Sequence, residues 1–366
     1  MKNIVDRLNE KITELGSPIV VGLDPVLSEI PECYKANLEK SENKFQEISN
    51  IIVNFNKDII DSIKDLVPAV KPQMAFYEMY GEYGIKAFNE TVKYAKSKGL
   101  FVIEDAKRND IGNTAKAYAT GHLGKVDIGN GNFTESFGVD FLTVSPYLGL
   151  DSIIPFIEEC KKNDKGIFVL VKTSNPSSAD IQDKQDSNGK TIYESVASFV
   201  KKEADSFVGE TGYSPIGAVV GATFPEEALN LRKIMSNSIF LVPGYGAQGG
   251  TAKDVMNCFN EDGLGALINS SRGIIYAYKK QFESDVCSAE EYKKCTREAT
   301  IKMRDDIISN LKKKLVLMKK CQKGRSILTL FGNHITLTNV KGVKSAKMLR
   351  PFWHFFILFF NFRFSN

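Results

Sequence analysis

The feature that most constrains the fold of this chain is a repeated alternation of short apolar runs with amphipathic segments over residues 18–276. The amphipathic segments keep helical spacing, as the apolar residues between Phe45 and Leu66 do. The apolar runs are rich in β-branched residues and predict eight strands: Pro18–Asp24, Ala69–Gln73, Phe101–Lys107, Phe141–Ser145, Gly166–Thr173, Gly217–Ala222, Ile239–Gly244 and Ala266–Ser270. Eight strand–helix units predict an α/β protein whose parallel sheet closes into a (β/α)8 barrel, the TIM-barrel architecture. The alternative, a doubly wound open sheet, needs a glycine-rich fingerprint after the first strand, and GLDPVL is not one.

A final helix follows the strands and predicts where the domain ends. Ser288, with Glu291 three residues later, has the pattern of a capping box. The apolar pattern then continues to the lysines at 312–314, and lysines favour the carboxyl terminus of a helix. We therefore predict a barrel domain over residues 1–315.

The remaining residues, 316–366, differ abruptly in composition from this domain. They carry nine Lys/Arg and no Asp/Glu, and residues 351–364 read PFWHFFILFFNFRF. The apolar part is too short to cross a bilayer as a helix. We predict a non-native or disordered tail. A membrane-surface anchor and a separate interaction function are the alternatives.

The charge of the predicted domain limits its partners. The whole chain has a formal net charge of +4, but residues 1–315 hold 39 basic and 44 acidic residues. This mildly acidic body offers no basic stripe for nucleic acid. Met1–Leu15 lacks the apolar core of a secretory signal, and the six cysteines lack metal-ligand spacing. We predict a cytoplasmic protein that binds neither nucleic acid nor a membrane.

The third apolar run, FVIEDAKRNDIGNT at 101–114, leads directly into charged residues. Asp105 and Lys107 are two residues apart, so strand alternation points both side chains the same way. Asp110 follows where the chain must turn before the next helix. The carboxyl ends of strands are where α/β proteins bind ligands, so these charges predict a site. Taken alone, the spacing D-x-K-x-x-D more often marks solvated surface charges.

The other strand ends add polar residues to the same face of the barrel: Asp24, Lys71, Ser174, Gln248 and Arg272. Two glycine-containing loops, PGYGAQGG at 243–250 and SSRG at 270–273, allow backbone N–H groups to approach an anion. Arg272 has the forked geometry that grips phosphate oxygens. Barrels bind phosphate between the loops after strands seven and eight, so we predict a phosphate site there.

These motifs resemble those of the orotidine 5′-phosphate decarboxylase family. DAKRNDIGNT matches the family's D-x-K-x-x-D motif, and PGYGAQGG is similar to its phosphate loop. SNP at 174–176, SSRG and the length of the body look like the longer bacterial type, type 2. The resemblance covers roughly residues 10–315. One departure is Ser271, where many relatives carry Gly.

The resemblance implies a carboxy-lyase that converts orotidine 5′-monophosphate to UMP and CO2 in pyrimidine biosynthesis, with no cofactor and no metal. Lys71, Asp105, Lys107 and Asp110 would form a network of alternating charge around the reacting carbon. Lys107 would be the proton donor to C6 of the pyrimidine. The loss of CO2 leaves electrons that the ring cannot easily delocalise, so a positioned cation suits this chemistry.

The resemblance also implies how the substrate is bound. Asp24 would hold ribose hydroxyls, Ser174 the pyrimidine ring, and Gln248 and Arg272 the 5′-phosphate. In the family the last Asp of the motif, here Asp110, and the following Thr114 reach into the neighbouring subunit's site. A homodimer with two shared active sites follows. Thr114 has a simpler alternative role, capping the helix after Asp110.

Two other kinds of barrel protein remain as alternatives. Related sugar-phosphate enzymes share Asp-x-Lys but use Mg²⁺, and they resemble this site with an acidic residue where Lys71 stands. A non-catalytic nucleotide-binding barrel would keep the phosphate loops without turnover. Lysine at position 71 argues against the first, and retention of all four charged residues argues against the second.

Overall fold

The core of the protein is a closed barrel of eight parallel strands. The computed structural model describes residues 2–246, 249–282, 286–322, 327–331, 334–339 and 343–349. The barrel strands, β1 to β8, are Ile19–Leu23, Ala69–Pro72, Phe101–Arg108, Phe141–Val144, Gly166–Lys172, Ser214–Val220, Ser238–Val242 and Ala266–Ser270. Each strand pairs with its neighbours in sequence, and β8 closes the barrel on β1. The predicted (β/α)8 barrel is therefore confirmed.

The largest difference from the predicted strands is in β6. It begins at Ser214, before the predicted start at Gly217, because Ser214 pairs with Ser238 of β7 ahead of Pro215. Proline cannot donate to a strand ladder, which is why the sequence pattern omits this part. The register between β6 and β7 is irregular between Ser214 and Ala218, the segment that contains the proline.

Helices surround the barrel and close one of its ends. They are α1 to α10: Ile4–Leu15, Lys44–Ile63, Ala75–Glu78, Gly81–Ser97, Gly112–Leu123, Ile154–Asn163, Ile192–Asp205, Pro225–Ile234, Arg272–Ile275 and Ala289–Gln322. Helix α1 places Ile4, Val5, Leu8 and Ile12 in one buried cluster with residues near the strand starts, such as Val20. Burying each such side chain contributes about 1.5–3 kcal/mol. This end of the barrel is therefore filled, and the carboxyl ends of the strands are left for a site.

The last helix begins as predicted and ends later than predicted. Ser288 and Glu291 form the reciprocal hydrogen bonds of a capping box, with Ser288 N donating to Glu291 Oε2 at 2.8 Å. The helix continues past Lys314 to Gln322. The first glycine or proline after Ala289 is Gly324, so nothing in the sequence breaks the helix at the lysines.

The chain divides into two compact units, Met1–Ile308 and Ser309–Asn366. The second unit contains an antiparallel sheet of three strands, β9 to β11, at Ile327–Phe331, His334–Asn339 and Val343–Leu349. The aromatic run at 351–364 lies outside the described residues, and the non-native character of the tail stays a prediction. Among the described residues, no helix is long and apolar enough to cross a membrane.

Candidate active site

A cavity of about 540 Å³ lies at the carboxyl ends of the barrel strands. Every strand of the barrel contributes to its wall, either directly or through the loop that follows. Among the residues that line it are six of those predicted from the sequence: Asp24, Lys71, Asp105, Lys107, Ser174 and Arg272. Residues from five different strand ends therefore meet in one space, as parallel strands of a barrel require.

Asp105 is the centre of the charged group in this cavity. Its Oδ2 lies 2.7 Å from Lys71 Nζ, and its Oδ1 lies 2.6 Å from Lys107 Nζ. Gln73 Nε2 donates to the same Oδ2 at 3.0 Å, and Thr143 Oγ1 donates to Oδ1 at 3.0 Å. Both carboxylate oxygens are thus held by one ammonium group and one neutral donor each. This fixes the carboxylate plane between the two lysines.

The electrostatics of the cavity keep both Lys71 and Asp105 charged. Burial by itself would lower the pKa of Lys71, but the carboxylates of Asp105 and Asp24 outweigh burial, and the pKa lies above its ordinary value. Burial by itself would raise the pKa of Asp105, but the two lysines reverse that effect and hold the pKa well below its usual range. Lys71 and Asp105 are therefore a buried ion pair.

The two lysines differ in how far they are open to a ligand. The side chain of Lys71 is 5% exposed, whereas that of Lys107 is 46% exposed. Lys107 also has a left-handed backbone, with φ of +50°, which costs a non-glycine residue about 1–3 kcal/mol. Its N–H donates to Thr143 Oγ1 at 2.9 Å. Lys107 is therefore the ammonium group that faces the cavity, and its backbone is held in a disfavoured conformation.

Two buried oxygen atoms in the cavity wall have no hydrogen-bond partner among the described residues: Asp24 Oδ1 and Asn269 Oδ1. Burial raises the pKa of Asp24, and the charge of Lys71 only partly opposes this effect. A buried acceptor without a partner is costly unless a ligand supplies a donor. The two oxygens therefore favour a ligand with hydroxyl or N–H groups at this side of the cavity.

The predicted anion loops form the side of the cavity beside β7 and β8. Gly244 and Gly246 have φ of +100° and +75°, a backbone that glycine adopts without strain. Tyr245 Oη, which donates to Asp306 at 2.8 Å, fixes this loop to α10. Arg272 is exposed at the start of α9 and lines the cavity. A cation and flexible glycine backbone thus lie together, as an anion site requires.

Ser271, the departure from the family pattern, is accommodated by a glycine on β1. A Cβ added at Gly22 would lie 1.9 Å from Ser271 Oγ, so only glycine allows the two segments to approach this closely. The Ser271 side chain lies beside Asp24, since Ser271 Oγ and Asp24 Oδ1 are 1.9 Å and 3.2 Å from a Cβ built at Gly22. The serine is therefore part of the wall that holds Asp24.

Comparison with known proteins identifies the family. Residues 18–285 match the model of the Orotidine 5′-phosphate decarboxylase / HUMPS family. The chain belongs to this family. The orotidine 5′-phosphate decarboxylase of Rhodopirellula baltica is 44% identical over 307 residues, which are 84% of this chain and 99% of the relative. That of Clostridium tetani is 42% identical over 311 residues, 85% of this chain and 100% of the relative.

Solved structures agree with the family assignment. A chain from Streptomyces avermitilis has a TM-score of 0.68 at 28% identity, covering 85% of this chain and 97% of its own length. The OMP decarboxylase of Leishmania donovani has a TM-score of 0.61 at 28% identity, covering 84% of this chain and 98% of its own length. The family, the barrel and the assignment as an orotidine 5′-phosphate decarboxylase that the sequence predicts are therefore confirmed.

Two of the predicted site residues that the structure describes, Asp110 and Thr114, are not among the residues that line the cavity. Gln248 lies outside the described residues. Asp110 follows β3, and its Oδ1 accepts a hydrogen bond from Ile111 N at 2.7 Å. Thr114 is exposed in the first turn of α5 and makes no capping hydrogen bond. The family pattern, in which the last two reach a neighbouring subunit, is compatible with these positions and stays a prediction.

The structure also adds cavity residues that the sequence analysis missed, namely Gln73, Thr143 and Asn269. Strand alternation is a signal for Asn269, because Leu267, two residues earlier on β8, is in the barrel interior. The same alternation marks Thr143, two residues after the interior Phe141, and Gln73, two residues after Lys71, and both side chains bind Asp105. Among the described residues, no group of three or more His, Cys, Asp or Glu side chains is placed to hold a metal.

Proposed function

We propose that this chain decarboxylates orotidine 5′-monophosphate to UMP and CO2 in the cytoplasm, with no cofactor and no metal. The observation that carries the proposal is the placement of Asp105 between a buried lysine and a lysine open to the cavity. This arrangement puts one proton donor that is open to the cavity beside a fixed carboxylate. It is what a reaction through a carbanion needs.

The chemistry follows from the placement of Lys107. When the bond between C6 and the carboxylate breaks, CO2 leaves and the electron pair stays on C6. The ammonium group of Lys107 stabilises this charge and then transfers a proton from Nζ to C6, so the charge on the ring is removed. Solvent later restores the proton to Lys107. Lys71 keeps Asp105 ionised, and Asp105 in turn holds the Lys107 ammonium group within 2.6 Å.

The other residues of the cavity would bind the ribose, the pyrimidine ring and the 5′-phosphate of the substrate. Asp24, joined by Asn269, supplies acceptors for ribose hydroxyls. Ser174 lies in the wall for the pyrimidine ring, and Arg272, with Gln248, serves the 5′-phosphate. Phosphate binding distant from C6 supplies energy that positions the ring without taking part in the chemistry.

The Mg²⁺-dependent alternative is disfavoured by a specific contact. The carboxylate of Asp105, which a metal would need, already binds Lys71 at 2.7 Å and Gln73 at 3.0 Å through the same oxygen. A divalent cation beside the buried Lys71 ammonium would also be repelled by it. The charge of the Asp105 carboxylate is therefore already balanced by lysines, which leaves no ligand position on it for a metal ion.

Turnover tests the proposal directly. Full-length protein mixed with orotidine 5′-monophosphate is expected to remove the ultraviolet absorbance of the substrate at the same rate with and without EDTA. Loss of activity in EDTA, restored by Mg²⁺, would favour the metal-dependent alternative. Tight UMP binding without turnover would favour the non-catalytic barrel and contradict the proposal.

We also propose a homodimer with shared sites. Exposed apolar side chains follow three adjacent strands, β2, β3 and β4: Met79, Ile111, Tyr118, Tyr147, Leu148 and Leu150, with exposures between 38% and 77%. An apolar surface of this kind supports an interface between copies of the chain. It includes Ile111, which is next to Asp110.

Mixing two inactive variants tests whether Asp110 serves the partner's site. Asp110→Ala and Lys107→Met homodimers are each expected to be nearly inactive. If Asp110 reaches across, subunit exchange yields a heterodimer with one intact and one doubly defective site, and mixing restores about one quarter of wild-type activity. If both residues serve the same subunit, no mixture recovers activity, and the shared-site proposal is wrong.

We propose that the barrel domain needs no residue after α10 for catalysis. A chain ending at Gln322 keeps the whole of that helix, so its barrel is expected to keep kcat and KM within about twofold of the full-length values, as for surface changes remote from a site. Gel filtration of both forms checks their oligomeric state. A large loss of activity or of dimer in the shortened chain would instead assign a role to the tail.

A further inference from the structure

The left-handed conformation of Lys107 coincides with an irregularity in the barrel sheet. Strands β3 and β4 pair regularly up to Glu104, and the register shifts before the next pair, at Arg108. Lys107 lies within this shift. The other described non-glycine residues with positive φ are Asn130 and Asp164, residue types that tolerate this backbone. A lysine there needs an external restraint, because it would otherwise relax to an extended conformation.

The two residues that bound the irregularity are connected on the outer face of β3 through His122 of α5. Arg108 Nε donates to His122 Nε2 at 3.4 Å, and His122 Nδ1 lies 2.8 Å from Glu104 Oε2. Because Nε2 accepts from an arginine, Nδ1 carries the hydrogen and donates to the carboxylate. Glu104 is fully buried and His122 is 4% exposed. The ring of His122 also stacks on Phe137, with centroids 4.6 Å apart.

Arg108 makes three further contacts. Its guanidinium forms an ion pair with Glu78 of α3 and donates to Ala106 O at 3.3 Å. It also lies 5.8 Å from the ring centre of Tyr118 on α5. The arginine immediately after Lys107 is thus fixed to α3, to α5 and to its own strand. None of these contacts enters the cavity, whose described wall does not include Arg108.

We propose that Glu104, His122 and Arg108 are positioning residues that hold the backbone of Lys107 in its left-handed conformation. They restrain β3 from outside the barrel, while Thr143 restrains the Lys107 N–H from inside. Together they direct Lys107 Nζ to Asp105 and to the open part of the cavity. The inference rests on the proposed function in one respect, which is that Lys107 is the proton donor.

The test replaces the arginine and keeps the fold. Arg108→Met removes the connection to His122 at a side chain that is 22% exposed, so the core stays filled. We expect kcat to fall roughly tenfold to a hundredfold, as for a displaced catalytic group, with KM and UMP affinity nearly unchanged. Glu104→Gln keeps the acceptor for His122 and is expected to retain most of the activity. Arg297→Met, which removes an arginine paired with Asp65 on the surface, is the matched control and is expected to leave kcat unchanged.

A crystal structure of Arg108→Met decides the inference without reference to turnover. We expect the φ of Lys107 to become negative and its Nζ to move away from Asp105. A positive φ at Lys107 in this variant would overturn the inference whatever the rate, and so would an unchanged kcat in an active enzyme. If the wild-type protein has no turnover, the proposed function fails, and the crystal structure still decides whether these residues hold Lys107.

Discussion

Replacement of Lys107 by methionine is expected to lower kcat by at least about 10⁴-fold, because one side chain supplies both the proton and the charge that stabilises the carbanion. Methionine keeps an unbranched side chain out to the position of Cε and lacks the ammonium group. Binding of UMP, measured by calorimetry, is expected to remain within about tenfold of wild type, since Asp24 and Arg272 are untouched.

Lys201→Met is the control for this substitution. Lys201 is an exposed lysine on α7 that pairs with its helix neighbour Asp205, and its loss is expected to leave kcat unchanged. Substantial turnover by Lys107→Met would remove Lys107 from the role of proton donor. Lys71, the other lysine in the described wall of the cavity, would then be the next candidate.

Replacement of Asp105 by asparagine is expected to damage both stability and activity. Asparagine leaves the Lys71 ammonium group buried without its closest carboxylate, and breaking a buried ion pair in this way costs about 3–5 kcal/mol. It also releases Lys107 from its 2.6 Å contact, so kcat is expected to fall at least about 10²-fold. Denaturant unfolding at neutral pH measures the first effect, and steady-state kinetics the second.

The pH dependence of this stability difference has a defined sign. The pKa of Asp105 is lower in the folded protein than its ordinary value of about 3.9, so the ionised carboxylate stabilises the fold above that pH. This contribution is lost as the pH falls below about 4 towards the folded pKa. The difference between wild type and Asp105→Asn is therefore expected to be full at neutral pH and to shrink in acid.

A surface ion pair provides the comparison for Asp105. Asp65 pairs with Arg297, and its side chain is 56% exposed. Asp65→Asn is expected to cost no more than about 1 kcal/mol, because exposed pairs are screened by water. If Asp105→Asn is no less stable than Asp65→Asn, the ion pair with Lys71 does not stabilise the barrel as the geometry indicates.

Much of the fold and of the site was predictable because it depends on local spacing. The period of apolar residues identified all eight strands, and a residue's distance from its strand end placed Asp24, Lys71 and Asp105 in one cavity. The capping box at Ser288 was likewise visible, since it involves residues three apart. The end of the same helix was not, because lysines favour a terminus without enforcing one.

What the sequence determined by itself is therefore the order of strands, the end of the barrel that carries charge, and the family. Only the tertiary structure decided which lysine is open to the cavity, that Thr143 and Gln73 complete the hydrogen bonds of Asp105, and that Lys107 is left-handed. These features depend on the register between strands and on helices that pack behind them. Periodicity is fixed by neighbours along the chain, whereas register and burial are fixed by residues distant in sequence that meet only in the folded barrel.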